Sequence, residues 1–329
     1  MRNAGSISVG VSLASTIPPA QLVDAYRLIE ERGFHELWVH EDYFYHGAFS
    51  AAATALQATR SIPVGIGIVS AMVRHPAVTA MEIATLAGAH PGRLRVGIGH
   101  GVPEWMQQLG LKPKSPLQSL REVLTSVRRL LGGEMLTQTG LFTFDHVQLA
   151  HPAADVPLYA GVIGPKSLAL SAQIADGTVI TVMSSPKYIA HARQITTDAA
   201  ALVTHPRPHE LPTLTLCFVD ADRQTARRAA RKMVAQMLAM AGPDILTHVY
   251  GIDDQLRDMI VRGGAQIVEA ELPEEWIDWF AAAGEPEECL ERVRALTRAG
   301  ATSVILTLTE PAKVGSSITL LADHVLRRL

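Results

Sequence analysis

Short runs of apolar and β-branched residues recur along the whole chain and alternate with segments of helical periodicity. The runs are mostly apolar on both faces, which is typical of buried parallel strands. They fall at residues 7–13, 36–40, 64–70, 94–98, 158–162, 178–183, 213–219 and 303–309. Between the first two, apolar residues recur at helical spacing from Leu22 to Ile29, and Gly33 is predicted to end that helix. Further helices are predicted from Pro76, over residues 117–131, from Pro286 and over residues 316–329.

Eight strands that alternate with helices predict a (β/α)₈ barrel, with a doubly wound open sheet as the alternative. The barrel is favoured because a closing helix follows the eighth strand. A small hairpin is predicted at residues 139–144, before strand five. Residues 220–284 are predicted to be a mostly helical insertion between strands seven and eight that covers the barrel mouth. The whole chain, residues 1–329, is predicted to be one domain.

Composition excludes several classes of function. Hydrophobic residues make up 48% of the chain and the net charge is −3, which argues against a nucleic-acid partner. The two cysteines, Cys217 and Cys289, have neither a disulfide framework nor metal-ligand spacing around them, so we expect no metal site. No run approaches the ~20 apolar residues that span a membrane, and the N-terminus does not have the pattern of a signal peptide. We expect a cytoplasmic protein with a small-molecule substrate.

The strand-five region is the most informative part of the chain. The strand leads into a turn made of Gly161, Val162, Ile163, Gly164, Pro165 and Lys166, and a helix follows over residues 167–175. Free backbone N–H groups and the helix dipole at such a turn favour a phosphate. The structural alternative is an ordinary glycine turn at a helix start. On the first interpretation, the protein holds a phosphorylated cofactor here.

Polar residues cluster where other predicted strands end, and function sits at the C-terminal ends of barrel strands. After strand two, His40, Glu41 and Asp42 stand among aromatic residues, which suits proton transfer beside a flat ligand. After strand four, His100 could donate a hydrogen bond and Glu104 could act as an acid or base. The alternative for the strand-two segment is a polar surface loop with some buried rings.

Glycines interrupt strands three and four at Gly65, Gly67, Gly97 and Gly99, and Gly101 follows. Glycine inside a buried strand indicates close approach, either of a planar ligand ring or of tightly packed barrel side chains. The spacing is not that of a dinucleotide fingerprint. After strand six, the hydroxyl-bearing segment that begins at Thr181 could meet phosphate or substrate.

Four stretches of the chain, residues 67–80, 92–99, 164–177 and 284–290, resemble the bacterial luciferase-like superfamily of flavin- and deazaflavin-dependent barrel enzymes. The likeness is closest to the branch that contains methylenetetrahydromethanopterin reductase. The resemblance implies a barrel with an insertion near strand seven and a tricyclic cofactor ring at the strand C-termini. It implies that the cofactor phosphate lies at Gly164-Pro165-Lys166 and that the protein is a homodimer.

The resemblance also implies roles for single residues. A cis peptide bond at Gly67–Ile68 would back the ring, and Ser70 would supply a hydroxyl contact. His100 and Gly101 fall where strand four touches the ring, and Thr181 falls on the substrate side. Two positions depart from the family pattern: Glu41-Asp42 stands where relatives often have Asp-His, and Val102 stands where a glutamate often occurs.

These expectations lead to three hypotheses. The first is a reductase or dehydrogenase that transfers a hydride between coenzyme F-420, an 8-hydroxy-5-deazaflavin, and a small organic substrate, with Glu41, Asp42, His40 and Glu104 as candidates for proton transfer. The second is an FMN-dependent monooxygenase that uses dioxygen. The third is a barrel that binds a cofactor without activity, against which the polar strand-two loop argues.

Overall fold

The chain alternates strands and helices, and the computed structural model describes residues 7–204 and 208–329. The strands are β1 (Val9–Leu13), β2 (Glu36–Val39), β3 (Val64–Ser70), β4 (Leu94–Gly99), β5 (Leu136–Gln138), β6 (Phe144–Val147), β7 (Leu158–Gly161), β8 (Gly177–Val179), β9 (Pro212–Val219), β10 (Ala281–Gly284) and β11 (Ser303–Leu308). The helices are α1 (Pro19–Glu31), α2 (Ala48–Ala58), α3 (Pro76–Ala89), α4 (Pro103–Gln108), α5 (Pro116–Leu131), α6 (Pro165–Ile174), α7 (Pro186–Ala200), α8 (Arg223–Ala241), α9 (Ile245–His248), α10 (Asp253–Glu271), α11 (Glu274–Phe280), α12 (Pro286–Arg298) and α13 (Val314–His324).

Nine parallel strands form one sheet in the order β10-β9-β11-β1-β2-β3-β4-β7-β8. Parallel bridges between Gly177 and Glu210 and between Ile180 and Thr213 join β8 to β9. These bridges close β1, β2, β3, β4, β7, β8, β9 and β11 into a barrel. The prediction of a (β/α)₈ barrel is therefore confirmed, and the open-sheet alternative is wrong.

The two additions to the barrel follow the sequence analysis with two corrections. Strands β5 and β6 form an antiparallel hairpin before the fifth barrel strand, but the predicted residues 139–144 are mostly its loop, and the two strands lie on either side of that loop. The insertion between β9 and β11 is helical from α8 to α11, but it ends in the strand β10, which pairs in parallel with the second half of β9. Its sequence, Ala281-Ala282-Ala283-Gly284, contains no β-branched residue and so carried no local strand signal.

The barrel interior is layered along its axis. Near the N-terminal ends of the strands, the buried Glu36 pairs with Arg95 at 3.1 Å and accepts a hydrogen bond from Trp38 Nε1 at 2.9 Å. Above them lies an apolar layer of Trp38, Tyr159, Val179, Leu214 and Ile305. Ile68 and Val182 cover this layer from the C-terminal side and are only partly buried. The filled interior leaves the C-terminal mouth as the place where a ligand can meet several strands.

None of the helices within the described residues has both the length and the apolar character needed to cross a membrane.

Candidate active site

The ends of β3, β4 and β7 meet around the side chain of Ile68. A β-carbon at Gly97, Gly99 or Gly161 would stand 2.7, 2.5 or 2.4 Å from an atom of that side chain. These glycines therefore make room for Ile68, which packs on the apolar layer below. Of the two interpretations of the strand-three and strand-four glycines, tight packing of barrel side chains is the one that accounts for Gly97 and Gly99.

The peptide bond between Gly67 and Ile68 is cis, as the family resemblance implies. A β-carbon at Gly67 would stand 3.1 Å from the indole of Trp38, so glycine here also lets two strands approach. A second non-proline cis bond joins Tyr43 to Phe44 in the strand-two loop, and nothing in the sequence pointed to it.

His40 lies at the end of β2 beside Gly67. Its Nδ1 is 2.9 Å from the carbonyl oxygen of Gly67, and a carbonyl can only accept, so Nδ1 carries the hydrogen. The other ring nitrogen, Nε2, is buried and has no hydrogen-bond partner within the described residues. The structure thus fixes the ring by one nitrogen and leaves the second without a partner among the described residues.

Glu41 is held in an ion pair that the sequence analysis did not foresee. Its two oxygens accept from the guanidinium of Arg74 at 2.8 and 2.5 Å, and Tyr43 Oη donates to it at 3.0 Å. The glutamate side chain is 2% exposed. The hydrogen bond to Glu41 raises the pKa of Arg74, while burial, followed by the charge on Glu41, raises the pKa of the Tyr43 hydroxyl. Both carboxylate oxygens of Glu41 are therefore engaged by the guanidinium of Arg74.

The other two carboxylates are placed differently. Asp42 is partly buried and accepts a hydrogen bond from Ser15 Oγ at 2.6 Å, which ties the strand-two loop to the segment after β1. Glu104 is exposed in the first turn of the short helix α4 and makes no hydrogen bond or ion pair within residues 7–204 and 208–329. The structure therefore gathers His40, Glu41 and Asp42 in one loop and gives no contact between them and Glu104.

The end of β4 contacts both β3 and α6. Ser70 is buried, and its Oγ accepts from Met72 N at 3.2 Å. A β-carbon at Gly101 (φ 75°) would stand 3.1 Å from that oxygen. His100 Nε2 lies 3.3 Å from Ser167 Oγ, and burial lowers the pKa of His100. His100 thus links the fourth barrel strand, β4, to the first turn of α6.

The start of α6 has the features of an anion site. Gly164 is the N-cap residue, so no side chain caps the helix, and a β-carbon there would have no heavy atom within 4 Å. Pro165 occupies the first helical position and Lys166 is exposed beside it. The first N–H groups of this helix have no intrahelical partner, so they can donate to an anion at the helix start, where Lys166 adds a positive charge.

The remaining predicted residues are Val162 and Ile163, which belong to this turn, and Thr181, which follows β8. Val162 is buried in the core, and the carbonyl of Ile163 accepts from Tyr188 Oη at 2.8 Å, so the turn is tied to α7. Thr181 is partly buried two residues after β8, and its carbonyl accepts from Ser184 N at 3.2 Å. Because β7 pairs in parallel with β8, with Gly161 opposite Val179, the turn and the segment after β8 lie next to each other.

Sequence reasoning missed three residues of this region: Arg74, Ser15 and Ser167. Arg74 stands in a stretch quoted for the resemblance, but nothing local says that it reaches Glu41, 33 residues earlier. Ser167 was assigned to the helix without a role. A signal was available for Ser167 alone, because the third position of a helix contributes an unpaired N–H and a side chain near any ligand of the helix start.

A closed parallel barrel with polar groups and an open helix start at its C-terminal mouth has the architecture of a barrel enzyme. Residues 2–303 match the family described as luciferase-like monooxygenase, and the chain belongs to this family. The family resemblance drawn from the sequence is confirmed.

Full-length relatives point to one branch of the family. The chain is 29% identical over 313 residues to the 5,10-methylenetetrahydromethanopterin reductase of Archaeoglobus fulgidus, which covers 92% of this chain and 94% of the relative. It is 26% identical over 307 residues to that of Methanolobus tindarius, with 91% and 93% covered. The solved structure of coenzyme F-420-dependent tetrahydromethanopterin reductase from Methanopyrus kandleri superposes with a TM-score of 0.86 at 24% identity, over 98% of this chain and 99% of that chain. The structural likeness shows a shared fold.

Proposed function

We propose that the chain is an oxidoreductase that transfers a hydride between coenzyme F-420 and a small organic substrate. The observation that carries the choice of cofactor is the full-length similarity to methylenetetrahydromethanopterin reductases. The solved relative from Methanopyrus kandleri is described as dependent on this coenzyme. The substrate named for these relatives is one candidate for this chain. Simple alcohols are a second, because a solved F-420-dependent secondary alcohol dehydrogenase superposes on this chain with a TM-score of 0.80 at 21% identity, over 98% of both chains.

The residues at the mouth fit such a cofactor. The uncapped start of α6 offers N–H groups to a phosphate, and the open space at Gly164 together with the exposed Lys166 suits a phosphate of the cofactor. The partly exposed side chain of Ile68 offers an apolar surface on which a flat ring can rest. The proposed ring and phosphate contacts are Gly67, Ile68, Ser70, Gly99, His100, Gly101, Gly161, Val162, Ile163, Gly164, Pro165 and Lys166, with Thr181 on the substrate side.

When bound, the deazaflavin supplies a ring carbon that gives or takes the hydride. The protein's own residues orient the two reactants and move the accompanying proton. Glu41, Asp42, His40 and Glu104 are the proposed proton-transfer candidates. Arg74 keeps Glu41 in place and so shapes the strand-two side of the mouth.

The alternative is an FMN-dependent monooxygenase, since the description of the family names a monooxygenase. Titration of the purified protein with F-420 and with FMN, followed by fluorescence, separates the two. We expect F-420 to bind and FMN to bind much more weakly; binding of FMN alone would overturn the proposal. Anaerobic turnover of 5,10-methylenetetrahydromethanopterin or propan-2-ol with F-420 would exclude an oxygen-dependent reaction.

A matched pair of lysines tests the phosphate site. Lys166 and Lys187 are both exposed and both follow the proline that begins a helix, but α7 is capped by Ser185, whose side chain accepts from Tyr188 N. We expect Lys166→Gln to weaken F-420 binding by about 5- to 30-fold, or about 1–2 kcal/mol. Lys187→Gln is the control and should leave the dissociation constant unchanged. Equal effects of both changes would count against a phosphate at α6.

We further propose that the enzyme is a homodimer and works in the cytoplasm. Exposed apolar side chains on α3, Val78 and Met81, support a contact surface on this helix. Light scattering on the purified protein tests the first part, and a monomeric mass at micromolar concentration would refute it. Fractionation of the source cells tests the second.

A further inference from the structure

The four proton-transfer candidates differ in what occupies their polar atoms. Glu41 is engaged by Arg74, and Asp42 accepts from Ser15. Glu104 is exposed on α4. Of the four, His40 alone has a buried polar atom, Nε2, without a partner within the described residues. A buried polar atom without a partner is unfavourable unless a ligand or water completes it, so this nitrogen marks a place where something binds.

The protonation pattern of His40 follows from its one contact. The oxygen of Gly67 is a pure acceptor, so Nδ1 must donate, and in the neutral ring Nε2 then carries a lone pair. The same hydrogen bond persists when Nε2 gains a proton, because both nitrogens are donors in the charged ring. The ring can therefore take up and release a proton at Nε2 without turning.

The position of His40 places its ring at the C-terminal end of the barrel interior. Glu36 and Trp38 of β2 point into the barrel interior, where Trp38 Nε1 donates to Glu36. Side chains on one face of a strand recur every second residue, so residue 40 continues the interior face one step closer to the C-terminal end. There it lies beside Gly67, and the side chain of the next residue, Ile68, covers the apolar layer.

We propose that His40 Nε2 exchanges a proton with the substrate oxygen or nitrogen next to the carbon that exchanges the hydride. In the oxidative direction, Nε2 takes the proton of a substrate O–H or N–H group. The adjacent C–H bond breaks, its electron pair leaves as hydride to the deazaflavin, and a C=O or C=N bond forms. In the reductive direction the charged ring returns the proton. This inference rests on the proposed function, and it makes Glu41 and Asp42 positioning residues.

The first test needs neither cofactor nor turnover. Nitrogen NMR of the cofactor-free protein labelled at histidine, with the His40 signals assigned by their loss in His40→Asn, reports which nitrogen carries hydrogen. We expect protonated Nδ1 and unprotonated Nε2 in the neutral ring. A His40 that is protonated at Nε2 in the neutral form would overturn the assignment.

The second test separates chemistry from positioning. In His40→Asn the side-chain amide can still donate to Gly67 O, but the Nε2 atom is gone. We expect unchanged F-420 affinity, a loss of turnover of about 100- to 10,000-fold, and partial recovery in His40→Ala on addition of imidazole. His46→Asn, in the same loop, is the control and should keep full turnover.

The outcomes distinguish the two proposals. Wild-type protein that fails to bind F-420 overturns the proposed function and the substrate-side role of His40, whatever the NMR result. Wild-type protein that turns over either probe, 5,10-methylenetetrahydromethanopterin or propan-2-ol, while His40→Asn keeps the same rate, overturns the role of His40 and leaves the proposed function standing.

Discussion

The side chain of Ile68 occupies the place where Gly161 would carry a β-carbon. An alanine methyl at Gly161 would stand 2.4 Å from Ile68 Cγ2, and its next neighbours, at 3.3 and 3.4 Å, also belong to Ile68. The strand β7 therefore contacts β3 through the side chain of Ile68. The effects of substitutions at Gly161 and at Ile68 on stability should depend on each other.

We predict that Gly161→Ala lowers the free energy of unfolding by about 1–3 kcal/mol through overpacking, and that Ile68→Ala relieves this cost. The double variant should be more stable than the sum of the single effects by about 1 kcal/mol or more, as measured by urea unfolding. Gly65→Ala is the control. Its methyl would meet the indole of Trp38 at 2.3 Å, and none of its three nearest neighbours belongs to Ile68, so Ile68→Ala should not relieve its cost. Additive costs for Gly161→Ala and Ile68→Ala would contradict the packing relationship.

A second prediction concerns Arg74. Arg74→Met leaves the buried Glu41 carboxylate without its cation, and we expect a loss of about 2–3 kcal/mol in unfolding free energy, because Arg74 itself is partly exposed. The matched control is Arg262→Met, which removes a similar two-pronged pair with Glu271 at the surface and should change stability little. Equal effects of the two changes in urea unfolding would show that burial of Glu41 does not matter.

The barrel could be predicted from the sequence because each of its strands is an apolar run of the length that a buried parallel strand needs. The strand β10 could not, since Ala281-Ala282-Ala283 has neither alternation nor β-branched residues and pairs only because β9 extends beyond the barrel. A strand with an apolar run of its own can be recognised from the local sequence pattern. A strand such as β10, which forms because a neighbouring strand extends far enough to pair with it, cannot.

The candidate site shows the same distinction between what the local sequence predicts and what depends on neighbouring strands. The positions of His40, Glu41 and Asp42 could be predicted from where β2 ends, and the start of α6 from its glycine and proline. It was not possible to predict that Arg74 pairs with Glu41, or that Ile68 fills the space at Gly99. Both depend on which residues of neighbouring strands lie at the same level, and a single sequence does not contain that register.

A third prediction follows from Arg292, a buried cation on α12. Its guanidinium donates to three carbonyls, those of Ser184 at 3.2 Å, Asp278 at 2.9 Å and Trp279 at 2.5 Å, and burial lowers its pKa to about 10. Arg292→Met keeps much of the volume but leaves these carbonyls without a donor. We expect a loss of about 2–4 kcal/mol, measured by thermal and urea unfolding.

Arg294 on the same helix supplies the control for that change. Its guanidinium donates to the carbonyl of Arg328 at the surface, so Arg294→Met should be close to neutral. A wild-type melting temperature for Arg292→Met would show that the three carbonyls find other donors.

The last prediction concerns His209, whose ring faces the N-terminal side of the barrel. Burial, reinforced by the charge on Arg193, lowers the pKa of His209 to about 4, and Nε2 lies 2.9 Å from Thr178 Oγ1. In the unfolded chain a histidine titrates near pH ~6.5. Between these two pH values the unfolded chain binds more protons, so the stability that His209 contributes is complete above pH ~6.5 and is lost as the pH falls toward 4.

Over that interval wild-type protein should lose about 1–2 kcal/mol of unfolding free energy through this residue, less than the full shift implies because the ring is partly accessible. His209→Gln removes the titration, so its stability should fall less steeply between pH 6.5 and 4 in urea unfolding. His146→Gln, at a histidine with a 71% exposed side chain, is the control and should retain the wild-type slope. If His209→Gln and wild-type protein lose stability in parallel, another group must carry the acid sensitivity, and the neutral form of His209 is not what the fold requires.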